Sequence, residues 1–342
     1  MSATTIGDGT DPASGARPTV AQVAREAGVS APTASKVLNA RPGVAPATRE
    51  RVLEILRRHG YTARRSTPRS GVIQLLLREM ESPWSASLVR SMEAAAHAEG
   101  LQLMLSRIRD DDGTAWLDDV AENRPDGLVF AVLEVTEDQR AQLADLGIPF
   151  VVIDPEGNQP LDVPAVGLTH WRGAYEATRY LAELGHRRIA TIGGPLRALC
   201  SRARTDGFRA AAAAAGLTVP AEHVVHVEFS HADGLAAATR LLAGAQRPTA
   251  IFASSDEQAL GVYEAARLAG LRIPEDLSVV GFNDVPIAAW LAPPLTTVRE
   301  PIDDMARQAL TLLRGLATGN RSPAAIEMAT ELVVRESTAP PS

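Results

Sequence analysis

From Gly71 onward, short apolar runs alternate with amphipathic segments, and this alternation constrains the fold more than any other feature of the sequence. The runs predict strands at 72–77, 102–106, 127–131, 150–153, 165–168, 188–192, 224–227, 250–253 and 277–281. The segments between them predict helices such as 86–99, 173–184, 204–215, 234–243 and 257–269. Strands and helices that alternate in this way form parallel α/β sheets. So many strands favour two doubly wound lobes, with a ligand site at the carboxyl ends of strands, between the lobes.

The N-terminal part has a helical pattern instead. Thr19 is a good helix N-cap, Gly28 supplies a tight turn, Ser30 caps a second helix with Pro32 in its first turn, and a third helix starts at about Pro46. The apolar residues predicted to face inward are Val20, Val23, Ala24, Ala27, Ala34, Val37, Leu38, Val52, Ile55 and Leu56. Two short helices with a third bracing them form a helix-turn-helix, whose second helix enters the major groove of DNA.

Charge is distributed unevenly along the chain. The net charge of −7 and the pI of about 5.6 argue against nucleic acid. Residues 17–70, however, hold eleven Lys or Arg and three Glu, a net of +8, whereas residues 71–342 carry a net of −13. A basic arm on an acidic body is typical of local binding to a polyanion, although charge alone leaves a merely solvated surface open.

Cysteine content and hydropathy indicate the cellular compartment in which the protein is expected. The single cysteine, Cys200, excludes a disulfide framework and Cys-rich metal sites, and it fits a reducing cytosol. The first 16 residues lack the apolar stretch of a signal peptide, and no run approaches the roughly 18 apolar residues of a membrane span. We therefore expect a cytoplasmic protein with no membrane partner.

Catalytic motifs are missing from the sequence. It contains no GxGxxG, Walker, HExxH or GxSxG pattern, and its histidines lack metal-ligand spacing. We expect no enzymatic activity, no metal and no cofactor.

The stretch TVAQVAREAGVSAPTASKVLNARPGVAPATRERVLEILRRHGY, from Thr19 to Tyr61, resembles the headpiece of the lactose-repressor (LacI/GalR) family. The resemblance continues to about Val334 through SPW at 82–84, PDGLV at 125–129, GHRRIA at 185–190, PEDLSVVGFND at 274–284 and PPLTTV at 293–298. It implies an α/β fold, with an N-terminal three-helix helix-turn-helix headpiece and a periplasmic-binding-protein-like core of two doubly wound parallel-sheet lobes. A three-helix packing domain without a DNA role is the alternative for the headpiece.

The resemblance also implies which headpiece residues contact DNA. Ala31, Pro32 and Lys36 stand at base-reading positions, and lysine can donate to guanine. The residues expected at phosphates are Thr33, Ser35, Asn39, Thr48 and Arg49, and the predicted interface also includes Thr19 and Ser30.

The segment after the headpiece departs from the family. Family members usually have a short hinge helix there, whose leucine wedges into the minor groove. Here the segment 62–71 is several residues shorter, lacks leucine and contains Pro68, which opposes a helix. We expect Arg64 and Arg65 to lie along phosphates or in a narrow minor groove, with an operator bent less than is usual for the family. A flexible tether is the alternative.

The resemblance places six ligand-binding candidates on loops after strands. Trp84 and Phe229 are expected to stack on the apolar face of a sugar, and Arg204, opening a helix, to donate two parallel bonds to hydroxyls or a carboxylate. The remaining candidates are Asp154, Ser255 and Asn283. Asn283 replaces an aspartate of many family members, and its amide suits a neutral polyol. The alternatives are core packing for the aromatic residues and capping of the next turn for Asp154.

The sequence therefore predicts a disordered tail at 1–17, a DNA-binding domain at 18–62, a linker at 63–71 and a core at 72–342. Within the core we expect one lobe at about 72–166 plus 298–326 and the other at about 167–297 plus 327–338. The expected function is that of a homodimeric transcription regulator, acting as a repressor of sugar uptake or catabolism genes. Its expected partners are a roughly palindromic double-stranded DNA operator and a mono- or oligosaccharide effector. A sugar-binding protein without a DNA role is the alternative.

Overall fold

The computed structural model describes residues 19–38, 44–58, 70–109, 114–156, 163–318 and 325–342. The chain divides into two units, Met1–Arg69 and Ser70–Ser342. The predicted tail and most of the predicted linker, with Asn39, Arg64 and Arg65, lie outside the described residues.

The described part of the first unit contains three helices, α1 (Val20–Glu26), α2 (Ala31–Leu38) and α3 (Pro46–Arg58). Thr19 begins α1 with a capping box, because its hydroxyl accepts from the backbone N–H of Gln22 and its own N–H donates to the Gln22 side chain. Gly28 adopts a φ of +64°, which lets the chain turn into α2. The predicted cap on α2 is confirmed, since Ser30 Oγ accepts from Thr33 N.

The three helices enclose a small apolar core. Its buried members are Val23, Ala24, Ala27, Ala34, Val37, Val52, Ile55 and Leu56. These residues were predicted to face inward, and all of them are at most 3% exposed. An ion pair between Arg58 and Glu26 joins α3 to α1 at the surface.

The second unit is built on two six-stranded sheets, each forming one lobe. The first sheet has the order β11-β5-β4-β3-β1-β2 and contains β1 (Val72–Leu77), β2 (Gln102–Arg107), β3 (Gly127–Ala131), β4 (Phe150–Ile153), β5 (Ala165–Leu168) and β11 (Ala325–Met328). The second has the order β12-β10-β9-β8-β6-β7 and contains β6 (Ile189–Gly193), β7 (Val224–His226), β8 (Ala250–Ala253), β9 (Ser278–Asn283), β10 (Thr296–Arg299) and β12 (Glu331–Val333). Neighbouring strands are parallel except β10 and β12.

Helices cover both faces of each sheet. Those of the first lobe are α4 (Pro83–Ala98), α5 (Ala115–Asn123), α6 (Glu137–Leu146) and α12 (Ile302–Ala317). Those of the second lobe are α7 (His170–Glu183), α8 (Leu199–Ala214), α9 (His231–Ala243), α10 (Asp256–Leu268) and the short α11 (Ile287–Trp290), with a 3-10 helix at Ala221–His223. Because both faces are covered, central strands such as β3 and β8 are buried along their whole length.

The chain passes between the lobes three times, after β5, β10 and β11. The predicted lobe boundaries at 166, 298 and 326 fall inside these strands, whose hydrogen-bonded ladders run on to Leu168, Arg299 and Met328. None of the described helices is long and apolar enough to cross a membrane.

Candidate functional sites

The outer face of α2 lies opposite the headpiece core. Ala31, Pro32 and Lys36 are exposed, while Ala34 and Val37 on the opposite face of the helix are buried. The predicted base-reading side chains therefore share one accessible face of a short helix.

The predicted phosphate-contacting residues have mixed surroundings. Thr33 is half-buried, and its hydroxyl is 2.8 Å from that of Ser30, which caps α2. Thr48 and Arg49 lie half-buried in the first turn of α3, and Ser35 lies half-buried on α2. Backbone and hydroxyl groups at helix starts are typical phosphate donors.

All six predicted ligand residues line one cleft of about 470 Å³ in the second unit. The first lobe contributes Trp84 and Asp154. The second lobe contributes Arg204, Phe229, Ser255 and Asn283. The cleft lies where strands of both sheets end, as expected for doubly wound lobes.

Local structure explains how several of these side chains reach the cleft. Asp154 directly follows β4 and Asn283 ends β9, and both have positive φ values, +49° and +111°. Such backbone conformations cost about 1–3 kcal/mol in residues other than glycine, and they cluster at functional sites. The Ser255 hydroxyl caps α10 by accepting from Gln258 N. Asn283 has no side-chain hydrogen bond to any residue that the structure describes, so its amide is available to a ligand.

A continuous chain of polar contacts crosses the floor of the cleft. Trp84 Nε1 donates to Glu300 Oε2 at 2.6 Å, and Arg204 Nη2 donates to Glu300 Oε1 at 2.7 Å. His170 Nδ1 lies 3.2 Å from the same Arg204 nitrogen, and its Nε2 lies 2.7 Å from Asp154 Oδ1. Because Trp84 and Asp154 belong to the first lobe and Arg204 to the second, this chain joins the lobes.

The two ring nitrogens of His170 have different partners. A guanidinium can only donate, so His170 Nδ1 accepts from Arg204, whereas Nε2 bonds to Asp154. Burial opposes ionisation of Asp154, but His170 and Arg204 outweigh it and hold the pKa of Asp154 below its usual value. Asp154 is therefore a carboxylate, and the alternative role of capping the following turn is replaced by a bond to His170.

The surroundings of Arg204 differ from the prediction in two respects. Arg204 lies in the second turn of α8, which begins at Leu199, rather than opening the helix. Its guanidinium also donates to Ser254 O at 2.6 Å and lies 3.8 Å from the centroid of the Phe282 ring. These bonds, with those to Glu300 and His170, engage four of its five N–H groups. The two parallel bonds expected toward a ligand are therefore not available together, because only one N–H on Nη1 is left.

Two pairs of charged residues lie at the walls of the cleft. Arg197 makes a bidentate pair with Glu228, at 2.7 and 2.6 Å, and Arg78 lies 3.6 Å from Glu156. Burial, together with the charge of Glu79, raises the pKa of Glu257 above its usual value. The walls are therefore acidic apart from paired arginines.

Glu300 and His170 were not predicted as site residues. Glu300 directly follows β10, and His170 follows β5 after one residue, Thr169. The chain passes between the lobes after both strands, and this position was the signal that could have found the two residues. Ser255, and not its neighbour Asp256, caps α10. The buried Asp256 carboxylate instead accepts from Val285 N and the Thr297 hydroxyl. No described group of three or more His, Cys, Asp or Glu side chains is placed to hold a metal.

Known proteins match the chain over nearly its whole length. A family model described as bacterial regulatory proteins, lacI family, matches residues 19–63, and a periplasmic binding protein-like domain matches residues 178–338. The HTH-type transcriptional repressor PurR of Haemophilus influenzae (strain PittEE) is 33% identical over 333 residues, which cover 93% of this chain and 98% of that protein.

Two solved structures show the same architecture. The complex of the transcriptional regulator CelR with cellobiose has 33% identity and a TM-score of 0.72, covering 94% of this chain and 100% of that one. The lac repressor dimer bound to operator and the anti-inducer ONPF has 23% identity and a TM-score of 0.71, covering 95% and 100%, which is a likeness of fold alone.

Proposed function

Because the chain belongs to the lacI family of bacterial regulatory proteins, and so is a transcriptional regulator with a DNA-binding domain and an effector-binding core, we propose that it represses genes of sugar uptake or catabolism. In this proposal it acts in the cytoplasm as a homodimer on a roughly palindromic operator. A mono- or oligosaccharide in the cleft controls its affinity for DNA. Its relatives are regulators and not enzymes, in agreement with the sequence analysis.

The observation that carries the sugar proposal is the composition of the cleft. Two aromatic side chains, Trp84 and Phe229, meet polar groups of Asp154, Ser255 and Asn283 in one space. Aromatic faces suit the apolar C–H surface of a sugar, and the polar groups suit its hydroxyls. The cellobiose bound by CelR supports this assignment.

We propose that the ligand acts by a shift of population. A ligand that contacts residues of both lobes binds the closed arrangement better than the open one, and it therefore favours closure. If closure changes the placement of the headpieces in the dimer, affinity for DNA changes by the same factor as affinity for the ligand.

The DNA role is tested by selecting duplexes from a random pool with the full chain. We expect a palindromic consensus, with binding that weakens steeply as salt rises. Lys36→Ala should relax the preference at one base pair of each half-site by about 1–3 kcal/mol. Arg90→Ala removes the same charge from an exposed position of the core and serves as the matched control. A chain that enriches no sequence at low salt would support the alternative, a sugar-binding protein without a DNA role.

The effector role is tested by screening neutral sugars for a rise in Tm, and then by measuring operator affinity with the sugar that binds. Arg204→Lys retains the charge, but an ammonium cannot hold His170, Ser254 and Glu300 together and still donate to a ligand, so we expect at least a tenfold loss of sugar affinity. Operator affinity without sugar should stay within about twofold of the wild type. A variant that still responds normally would remove Arg204 from the site.

A further inference from the structure

The charge of the cleft is strongly one-sided. Its lining contains six carboxylate side chains and three arginines. The carboxylates are Glu79, Glu81, Asp154, Glu156, Glu228 and Glu257. Each of the three arginines is within 4 Å of a carboxylate, since Arg78 lies near Glu156, Arg197 pairs with Glu228 and Arg204 pairs with Glu300. Each arginine that an anionic ligand could meet in the cleft therefore already has its charge balanced by a carboxylate.

The pair between Arg204 and Glu300 differs from the other two in its burial. The side chains of Arg204 and Glu300 are only 4% and 1% exposed, whereas Arg197 and Glu228 are more than half exposed. Water screens a buried pair much less than an exposed one, so Glu300 cancels the field of Arg204 at short range. The Trp84 indole N–H holds the second oxygen of Glu300 in place.

The neighbouring groups bring a second carboxylate toward Arg204. His170 Nδ1 lies 3.2 Å from Arg204 Nη2, and its Nε2 lies 2.7 Å from Asp154 Oδ1. The guanidinium therefore has Glu300 in direct contact and Asp154 on the far side of the His170 ring. Such a floor favours ligands that donate hydrogen bonds and repels phosphate and carboxylate groups.

We propose that Glu300 makes the cleft selective for uncharged ligands, because it neutralises Arg204 from beneath and leaves the guanidinium only as a hydrogen-bond donor. This inference rests on the proposed effector cleft and narrows it. It assigns the cleft to neutral polyols and excludes sugar phosphates and sugar acids, and it makes Glu300 a residue that determines specificity without requiring it to touch the ligand.

The test uses inorganic phosphate as the probe and the full chain as the protein. Wild type, Glu300→Gln and Glu81→Gln are titrated with phosphate against chloride at matched ionic strength, and binding is followed by calorimetry and by Tm. Glu81→Gln is the matched control, since it removes the same charge from an exposed position on the cleft wall. We expect phosphate affinity to rise at least tenfold in Glu300→Gln and less than threefold in Glu81→Gln. At a phosphate concentration ten times its Kd, the Tm of Glu300→Gln should rise by about 2–4 °C.

Equal phosphate affinity in the wild type and Glu300→Gln would overturn the proposal, as would an equal gain in Glu81→Gln. Should Glu300→Gln fail to fold, wild type and Arg204→Met decide the question. If the wild type binds phosphate and Arg204→Met does not, the proposal is contradicted. If neither protein binds phosphate, or if both bind it equally, the proposal is supported. Operator binding by the same samples is a separate readout, so a chain that binds no DNA refutes the regulator role without bearing on charge selectivity.

Discussion

The bond between Trp84 and Glu300 gives a direct test of how the two lobes are joined. Trp84→Phe keeps an aromatic ring at the cleft but removes the N–H that donates to Glu300 Oε2 at 2.6 Å. A hydrogen bond to a charged group contributes about 1.5–3 kcal/mol. Trp84 is only half-buried, and Glu300 keeps its bond to Arg204, so water can partly replace the lost donor. We therefore expect the core to lose about 1–2 kcal/mol of unfolding free energy.

Urea unfolding followed by tryptophan fluorescence measures this loss. The four tryptophans, Trp84, Trp116, Trp171 and Trp290, all belong to the core unit, so the signal reports that unit alone. Trp171→Phe is the matched control, because Trp171 is 46% exposed and stacks on Tyr175 through a ring that phenylalanine retains.

The expected result is a midpoint about 0.5 M lower in urea for Trp84→Phe than for Trp171→Phe, with an unchanged slope. A double-mutant cycle with Glu300→Gln should give a coupling energy of at least about 1 kcal/mol. Equal midpoints for the two tryptophan variants, with no coupling in the cycle, would refute the reasoning that this bond ties the lobes.

Three further predictions concern single polar groups. Burial raises the pKa of Asp256 to about 7, so its contribution to stability is full below about pH 4 and is lost as the pH rises through 7. The wild type should therefore lose up to about 4 kcal/mol of unfolding free energy between pH 4 and 7, and Asp256→Asn should not. Parallel curves of unfolding free energy against pH for the two proteins would contradict this. Ser337→Ala leaves Thr296 N and Val279 O without their buried partner and should cost about 2–3 kcal/mol in a thermal melt, against no change in Ser342→Ala. Thr19→Ala removes the capping box of α1 and should destabilise that helix by about 1 kcal/mol, so that its amides exchange faster. Unaltered exchange rates would show that the cap contributes nothing.

The strands of the core could be predicted from sequence because buried parallel strands are continuous apolar runs. Strands β1 and β3, for example, have the predicted bounds, since their residues are almost all buried. Strands β10, β11 and β12 escaped prediction. Strands β11 and β12 are short, lie at sheet edges and carry exposed Glu327 and Glu331, whereas β10 lies inside its sheet but has only four residues, two of them threonine. Helices α4 and α8 start earlier than predicted, at Pro83 and Leu199 instead of at 86 and 204.

The six ligand candidates meet at one cleft because the fold brings the ends of many strands to the same edge of each sheet. Charge pairing, in contrast, could not be predicted from sequence. Arg204 and Glu300 are 96 positions apart, and nothing in their local sequence indicates that one would face the other. The sequence therefore predicted a free fork at Arg204, where the structure has a guanidinium with one N–H left.

Glu300 combines two roles in one side chain, because each of its oxygens serves a different lobe. Oε1 compensates the charge of Arg204, and Oε2 accepts the bond from Trp84. Glu300→Gln changes both properties at once, whereas Trp84→Phe changes only the tie between the lobes. If the two roles are separable, Trp84→Phe should alter stability while phosphate affinity stays at the wild-type level. A gain of phosphate affinity in Trp84→Phe would mean instead that the indole is needed to keep the carboxylate beneath Arg204, so that charge selectivity and lobe contact depend on the same bond.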